Sequence, residues 1–386
     1  MLEKLEKYME LKRGYDLPSY ERVNGNYPIV SSSGIAEFHN DFKVKGPGVV
    51  TGRSGTIGEV FFEDRNFWPL NTSLYVKDFK DNNKKFIYYF LKNLDFKHLA
   101  SATAVPSLDR KILHSLRVPF IERNIQNKIA KLLSNYDDLI ENNNKRIKLL
   151  EESAEELYKE WFVRLRFPNY QNTKIENGIP KGWEKSKLEN YLEFFRGKSY
   201  SSADIESDEG LPFVNLKCIN RNGGFRKDGL KVFNGKYKND NITFSGDIMM
   251  AVTDMTQDRA IVGRVGRIPK MGFNKFIFSM DLIRIEPLNI DKIFLYSLLR
   301  FSNIGLYLKE FANGVNVLHL TPSILYTINS LIPSDEVQKK FSAIINPILE
   351  EIDILEQKNQ TLKQTRDLLL PRLISGKLDI EKLEIN

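Results

Sequence analysis

The chain has 386 residues, long enough for two or three domains each with its own core. Its 41% hydrophobic and 28% charged residues are those of a globular protein, and no apolar run approaches the roughly 18 residues of a membrane span. One cysteine, Cys218, excludes an internal disulfide framework and suits a reducing cytoplasm, and the net charge of +7 is a basic excess whose location matters more than its size.

The N-terminus is charged from Glu3 onward, so no secretory leader is expected there. The first 121 residues read as strands and turns with short helices and carry a charge of +4. Val49 to Val60 has two β-branched runs around the glycine-rich bend Gly52-Arg53-Ser54-Gly55, a hairpin pattern. No Gly-Lys-Ser/Thr follows at the required spacing, so the bend is not a phosphate loop. Arg53 sits at its tip, where a guanidinium can reach a phosphate or a guanine edge. Lys43 and Lys45 lie just upstream. Phe67 to Val76 is expected to be one strand after a turn. Phe86 to Leu94 has helical periodicity, Ser101 to Arg110 is expected to be a polar loop, and Leu116 to Phe120 a strand.

A long helix is expected from Glu122 to Phe162. Ile125, Ile129, Leu132, Tyr136, Leu139, Ile147, Leu150, Leu157 and Trp161 fall mostly at alternating four- and three-residue steps, the seam of a coiled coil. The breakers Pro168, Asn169, Asn172, Asn177, Gly178, Pro180 and Gly182 end it. A second basic module follows over residues 178–333, with a charge of +5. It has a glycine bend at Asn222-Gly223-Gly224, a strand at Asp247–Val252, a polar loop at Thr253–Arg259 and a return strand at Ala260–Val265. A second long helix is expected from Asp335 to Ser375.

The chain repeats itself. Ile125-Gln126 recurs 212 residues later as Val337-Gln338, and the same offset carries the first helical seam onto Phe341, Ile344, Ile348, Leu362, Leu369 and Leu373. Leu139 maps to Glu351, while its neighbour Ile140 maps to Ile352. Asn143 answers to Leu355 and Ile147 to Asn359, so each seam carries one polar residue able to fix register. The modules echo each other too: Leu5 to Gly14 matches Leu188 to Gly197, and Tyr27-Pro-Ile-Val30 matches Leu211-Pro-Phe-Val214. The hairpin loops at Arg53 and at Thr253–Arg259 occupy matching places but differ in length and chemistry, as two readers of different targets would.

Catalytic patterns are missing. His39, His98, His114 and His319 are scattered, with no His/Cys set at metal-ligand spacing. There is no Walker loop and no Asn/Asp-Pro-Pro-Tyr tetrapeptide of the amino-methyltransferase kind. Glu356-Gln-Lys358 lacks the Pro-Asp partner of a nuclease motif.

The sequence resembles the specificity subunit of Type I restriction–modification enzymes over essentially its whole length. The resemblance rests on Gly178-Ile-Pro-Lys-Gly-Trp183-Glu, on Leu368-Leu-Leu-Pro-Arg-Leu-Ile-Ser-Gly376-Lys-Leu-Asp, on the Thr51–Val60 hairpin, and on Val118 through Gln126 with its echo Ile332 through Gln338. The first module departs from the pattern: it lacks the Pro-x-Gly-Trp opening, so its N-terminal edge is expected to be trimmed or completed by another part of the fold.

The resemblance implies an α+β protein with a pseudo-twofold internal repeat: two α/β target recognition domains joined by two long antiparallel coiled-coil helices. The expected divisions are recognition domain 1 at 1–121, spacer helix 1 at 122–166, linker and recognition domain 2 at 167–333, and spacer helix 2 with the tail at 334–386. The implied function is to read a bipartite double-stranded DNA target and to dock modification (methyltransferase) subunits, two of them, and through these the restriction and motor subunits. The chain itself would be non-catalytic and bind no cofactor; S-adenosylmethionine, ATP and Mg2+ would belong to its partners. Arg53, Thr256, Gln257 and Arg259 are the base-contact candidates, with Ser199, Ser202 and Arg221 behind them; Lys43, Lys45 and Lys217 are expected at phosphate. The partner-facing spacer seam is expected at Ile129, Leu132, Leu139, Asn143, Leu150, Leu157, Phe341, Ile348, Leu355, Asn359, Leu362 and Leu369. Two rival readings are the specificity subunit of a related system with a fused methyltransferase–nuclease, and a stand-alone regulatory DNA-binding protein. About 38 helical residues would span roughly 57 Å, at most about 17 base pairs. Matched heptad insertions after Leu150 and Leu362 would then lengthen the unread spacer.

Overall fold

A computed structural model describes residues 2–99, 107–206 and 208–382. The expected polar loop at Ser101–Arg110 falls largely outside them; Arg110 itself opens a short helix. The chain divides into two compact units, residues 1–142 with 358–386, and residues 143–357.

Among the described residues the first unit has nine strands: β1 (Leu2–Lys4), β2 (Glu10–Arg13), β3 (Tyr27–Ser31), β4 (Gly34–His39), β5 (Gly48–Gly52), β6 (Val60–Glu63), β7 (Trp68–Pro69), β8 (Ser73–Asp78) and β9 (Arg117–Pro119). An antiparallel sheet has the order β2-β8-β5-β6, and a smaller one the order β4-β3-β7, in which β3 and β7 run parallel. The hairpin expected over residues 49–60 forms as β5 and β6, with Val49 opposite Phe62 and Thr51 opposite Val60. The single strand expected over 67–76 does not form. Ser73 N bonds back to the carbonyl of Leu70 at 2.9 Å, and this turn sends β7 and β8 into different sheets. Helix α1 (Lys84–Lys92) is capped by Asn83, whose side chain accepts from Phe86 N. It buries Phe86, Ile87, Tyr89, Phe90 and Leu91 against the larger sheet. Helix α2 (Arg110–Ser115) and β9 follow.

The second unit repeats this frame. Its strands are β10 (Ile175–Glu176), β11 (Ile179–Pro180), β12 (Glu184–Lys187), β13 (Leu192–Arg196), β14 (Leu211–Val214), β15 (Lys231–Phe233), β16 (Ile242–Thr243), β17 (Ile248–Ala251), β18 (Thr253–Asp254), β19 (Val265–Arg267), β20 (Phe276–Phe278), β21 (Leu282–Pro287), β22 (Leu318–His319) and β23 (Asn329–Ile332). The sheet β13-β21-β17-β19 matches β2-β8-β5-β6 strand for strand, and β14 pairs in parallel with β20 as β3 does with β7. The β12–β23 ladder answers to β1–β9. Helix α3 (Lys292–Phe301), capped by Asp291, answers to α1, and α4 (Ile304–Lys309) follows it. The expected return strand at 260–265 lies further on, at β19, whose Arg267 pairs with Ile248.

Two long helices belong to both units: Arg123–Tyr158, extended by a wider π turn at Lys159–Val163, and Asp335–Ile374. Within each unit they run antiparallel. In the first, Asp137 pairs with Arg366, and Lys128 with Glu381 of the tail that follows the second helix; in the second, Arg146 pairs with Glu351 and Trp161 packs on Phe341. The seam is apolar: Ile129, Ala130 and Leu133 share a core with Leu370, Leu373 and Ile374, and Ala154 and Tyr158 share one with Phe341, Ile345 and Leu349. Leu132, Leu157, Ile348 and Leu369 pack half-buried on these cores, Leu355 and Asn359 are buried, and Asn143, Leu150 and Leu362 are half-buried. Leu139 is corrected: it is 51% exposed, and Ile140 takes the buried position at 7%. The tail completes the first unit. Ile380 and Leu378 join the core of Leu5, Met9 and Leu113, whereas the second unit uses Phe167 and Trp183, with rings 4.8 Å apart, ahead of its own first strands.

Candidate nucleic-acid interface

In each unit the loop of interest leaves the same end of the larger sheet. In the first, β5 delivers the chain to Arg53, and the turn is clamped by its backbone. Arg53 N and Ser54 N both donate to the Thr72 carbonyl, at 2.9 and 3.1 Å, and Leu108 N donates to the Arg53 carbonyl at 2.9 Å. Arg53 is half-buried rather than fully exposed, and its Nη1 donates to the Asn71 carbonyl at 3.3 Å. Lys43 is exposed, with Nζ 4.5 Å from the centroid of the Trp68 ring and 3.8 Å from Asp41. Lys45 is exposed.

In the second unit the loop after β17 is organised by Asp254, a buried carboxylate that composition and spacing did not single out. Its Oδ1 accepts from Thr256 N at 2.8 Å and Thr256 Oγ1 at 2.6 Å, and its Oδ2 from Ile261 N at 2.9 Å. An Asp two residues before a Thr in a polar loop is the sequence trace of such a turn. These bonds hold residues 254–261 as a closed loop, which is why the return strand starts late. Gln257 Nε2 donates to the Val315 carbonyl at 2.8 Å. Arg259 has a left-handed φ of 52°, donates to the Lys309 carbonyl at 3.4 Å and lies 3.9 Å from Glu310. Arg221 pairs with Asp258 at 3.6 Å, and the hydrogen bond from Thr256 holds the Asp258 carboxyl below its usual range.

The structure therefore brings Arg221, Thr256, Gln257 and Arg259 together. Among the described residues no hydrogen bond or ion pair joins Ser199, Ser202 or Lys217 to them. Ser199 is exposed, Ser202 opens the one-turn helix Ser202–Ile205, and Lys217 is exposed on the turn Leu216–Cys218, its amide capped by Asn215. Burial pushes the Cys218 thiol up to about 12, which leaves it unreactive. Among the described residues no cluster of three His, Cys, Asp or Glu could hold a metal ion, and no helix is long and apolar enough to cross a membrane.

The model of the Type I restriction modification DNA specificity domain matches residues 5–152 and again residues 180–364. The chain belongs to this family. The Type I restriction enzyme MjaIX specificity subunit of Methanocaldococcus jannaschii is 30% identical over 322 residues, covering 78% of this chain and 70% of the relative. The MjaVIII specificity subunit of the same organism is 24% identical over 94% of this chain and 88% of its own length. The crystal structure of the Type I restriction–modification S subunit from M. genitalium shares the fold, with a TM-score of 0.62 at 19% identity over 97% of this chain and 96% of that one. Carrying the DNA specificity domain twice, this member of the Type I specificity family is a recognition subunit rather than a catalytic one.

Proposed function

We propose that this specificity subunit reads a split DNA target, one half-site per unit, and presents it to two modification subunits that methylate it. The observation that carries this reading is the pairing of one repeated frame with two unlike loops. The sheet order β2-β8-β5-β6 recurs as β13-β21-β17-β19, yet the first leads into a short turn bearing Arg53 and the second into a closed loop bearing Thr256, Gln257 and Arg259. A shared frame with different tips suits two readers of different bases. The recognition domains are then residues 1–121 and 167–333, and the spacer segments 122–166 and 334–386. Arg53, Thr256, Gln257 and Arg259 meet base edges, with Ser199, Ser202 and Arg221 beside them, while Lys43, Lys45 and Lys217 meet phosphate. S-adenosylmethionine belongs to the modification subunits, and ATP and Mg2+ to restriction and motor subunits that join them.

The test is an exchange. Residues 178–333 are replaced by those of a relative with a different target, and methylated adenines are mapped in cells carrying the hybrid and its modification subunit. One half-site should change and the other stay. A hybrid that changes both, or neither, overturns the two-reader assignment.

A further inference from the structure

Both repeats end the first strand of the larger sheet with the same dipeptide. β2 ends at Arg13 and β13 at Arg196, and Gly14 and Gly197 follow. Their registers agree. Arg13 lies opposite Leu74 of β8, and Leu74 lies opposite Thr51 of β5. Arg196 lies opposite Ile283 of β21, and Ile283 lies opposite Met250 of β17. Strands β5 and β17 are the ones that lead into the Arg53 turn and the loop after Thr253. Each arginine thus stands at the sheet end from which its unit's candidate reading loop leaves, two strands or about 10 Å across.

The glycine of the dipeptide has a packing reason. A Cβ on Gly14 would collide with the Leu70 carbonyl oxygen, and one on Gly197 with the Ser279 carbonyl oxygen. The close approach lets the next amide bond inward: Tyr15 N to the Pro69 carbonyl at 2.8 Å, and Lys198 N to the Phe278 carbonyl at 2.7 Å. The arginine has no such reason. Both side chains are exposed, and among the described residues neither guanidinium makes an ion pair or a hydrogen bond; Asn241 reaches only the Arg196 backbone carbonyl, at 3.3 Å. The arginines that serve the fold differ: Arg267 and Arg366 reach half-buried carboxylates, and Arg300 reaches Glu151. An exposed cation that the fold does not use, kept at one register position beside two unlike loops, cannot be what distinguishes the loops. It can meet what every duplex offers, the phosphate backbone.

We propose that Arg13 and Arg196 are equivalent phosphate contacts, one per unit, that set the DNA backbone against each reading loop. The proposal rests on the DNA-reading function above. Its test uses the complex assembled with its modification subunits, carrying Arg13→Gln, Arg196→Gln, both, or the matching lysines. Binding constants are measured against salt, on a duplex with the mapped target and on one without it. Each glutamine should make the slope of log K against log salt shallower by about 0.9 on both duplexes, and the double variant by about 1.8. The lysine variants should keep the slope, and the methylated sequence should not change. A wild-type slope in the glutamine variants overturns the proposal, and so does an altered base preference, which would make the arginine a base reader. A wild-type complex with no preference between the duplexes would overturn the sequence-reading function instead, while the slope still decides the arginines.

Discussion

Gln126 Nε2 donates to the Ile121 carbonyl at 2.9 Å, and its Oε1 accepts from Asn83 N at 3.0 Å. Gln338 does the same in the second unit, to the Pro333 carbonyl at 2.8 Å and from Asp291 N at 2.9 Å. Asn83 and Asp291 are the caps of α1 and α3, so each glutamine ties the start of a long helix to the start of the helix packed on the sheet. Both are at least 96% buried, which leaves no water to replace them. Gln126→Leu and Gln338→Leu should each leave a buried N–H and C=O unpaired and cost about 1–3 kcal/mol per orphaned group. Urea unfolding should show a lowered midpoint for each variant, and an unchanged midpoint would mean the bonds contribute nothing. The repeat of Ile125-Gln126 as Val337-Gln338 was visible in the sequence, but its purpose was not. The caps the glutamines serve lie 43 and 47 residues away in sequence, beyond any local pattern.

Between elements, the second unit holds its sheet to the long helices with charge. Arg267 of β19 reaches Asp353 at 2.7 Å and Lys270 reaches Glu350 at 3.3 Å; Lys227 reaches Glu356 at 3.4 Å, and Arg300 of α3 reaches Glu151 at 2.9 Å. Burial pushes the Glu356 carboxyl above its usual range, and Lys227 pulls it back only in part. A carboxyl whose folded pKa is raised stabilises fully below its unfolded value, near 4.3, and that contribution is lost as pH rises through the folded value. Glu356→Gln removes the ionisation, so its stability relative to the native chain should grow as pH is raised from about 4 through the raised carboxyl range. Unfolding midpoints measured across that range check it, and parallel profiles would show that Glu356 ionises at no cost. None of these pairs was legible in the sequence, because the partners stand 80 or more residues apart along the chain. Local elements fared according to how local their causes are. The hairpin at 49–60 follows from its own β-branched runs. The return strand after Met250 starts late because Asp254 captures Thr256 and Ile261, and the run through Phe67 breaks at Leu70-Asn71-Thr72 because its two halves find partners in different sheets.

At the scale of the whole chain, two relations fix the spacer. On the long helices, repeat equivalents differ by 212 residues, as Gln126 and Gln338 do. Facing residues on the antiparallel helices have numbers that total about 500, as in Arg146 with Glu351 and Asp137 with Arg366. The offset was legible in the sequence because a repeat needs only comparison of the chain with itself; the facing relation needed the packed helices. Both are satisfied at Asn144 and Glu356. Insertions after Leu150 and Leu362, equivalent in the repeat, would not face each other, since Leu150 stands opposite residues near 350 and Leu362 opposite residues near 138. The stretch between would slip by a heptad against its partner and lose its pairs. Heptads inserted after Asn144 and after Glu356 avoid this: Glu151 and Glu350 to Glu356 stay with the second unit's clasp, and Asp137 stays with Arg366. Seven residues add about 10 Å to each helix, or about three base pairs, and return the seam to the same face. Methylation mapping of this variant should find both half-sites intact and the unread spacer about three pairs longer. Four-residue insertions at the same points turn the seam by about 40–50° away from its partner and should weaken methylation. Full activity at the old spacing in the heptad variant would mean that something other than these helices sets the distance.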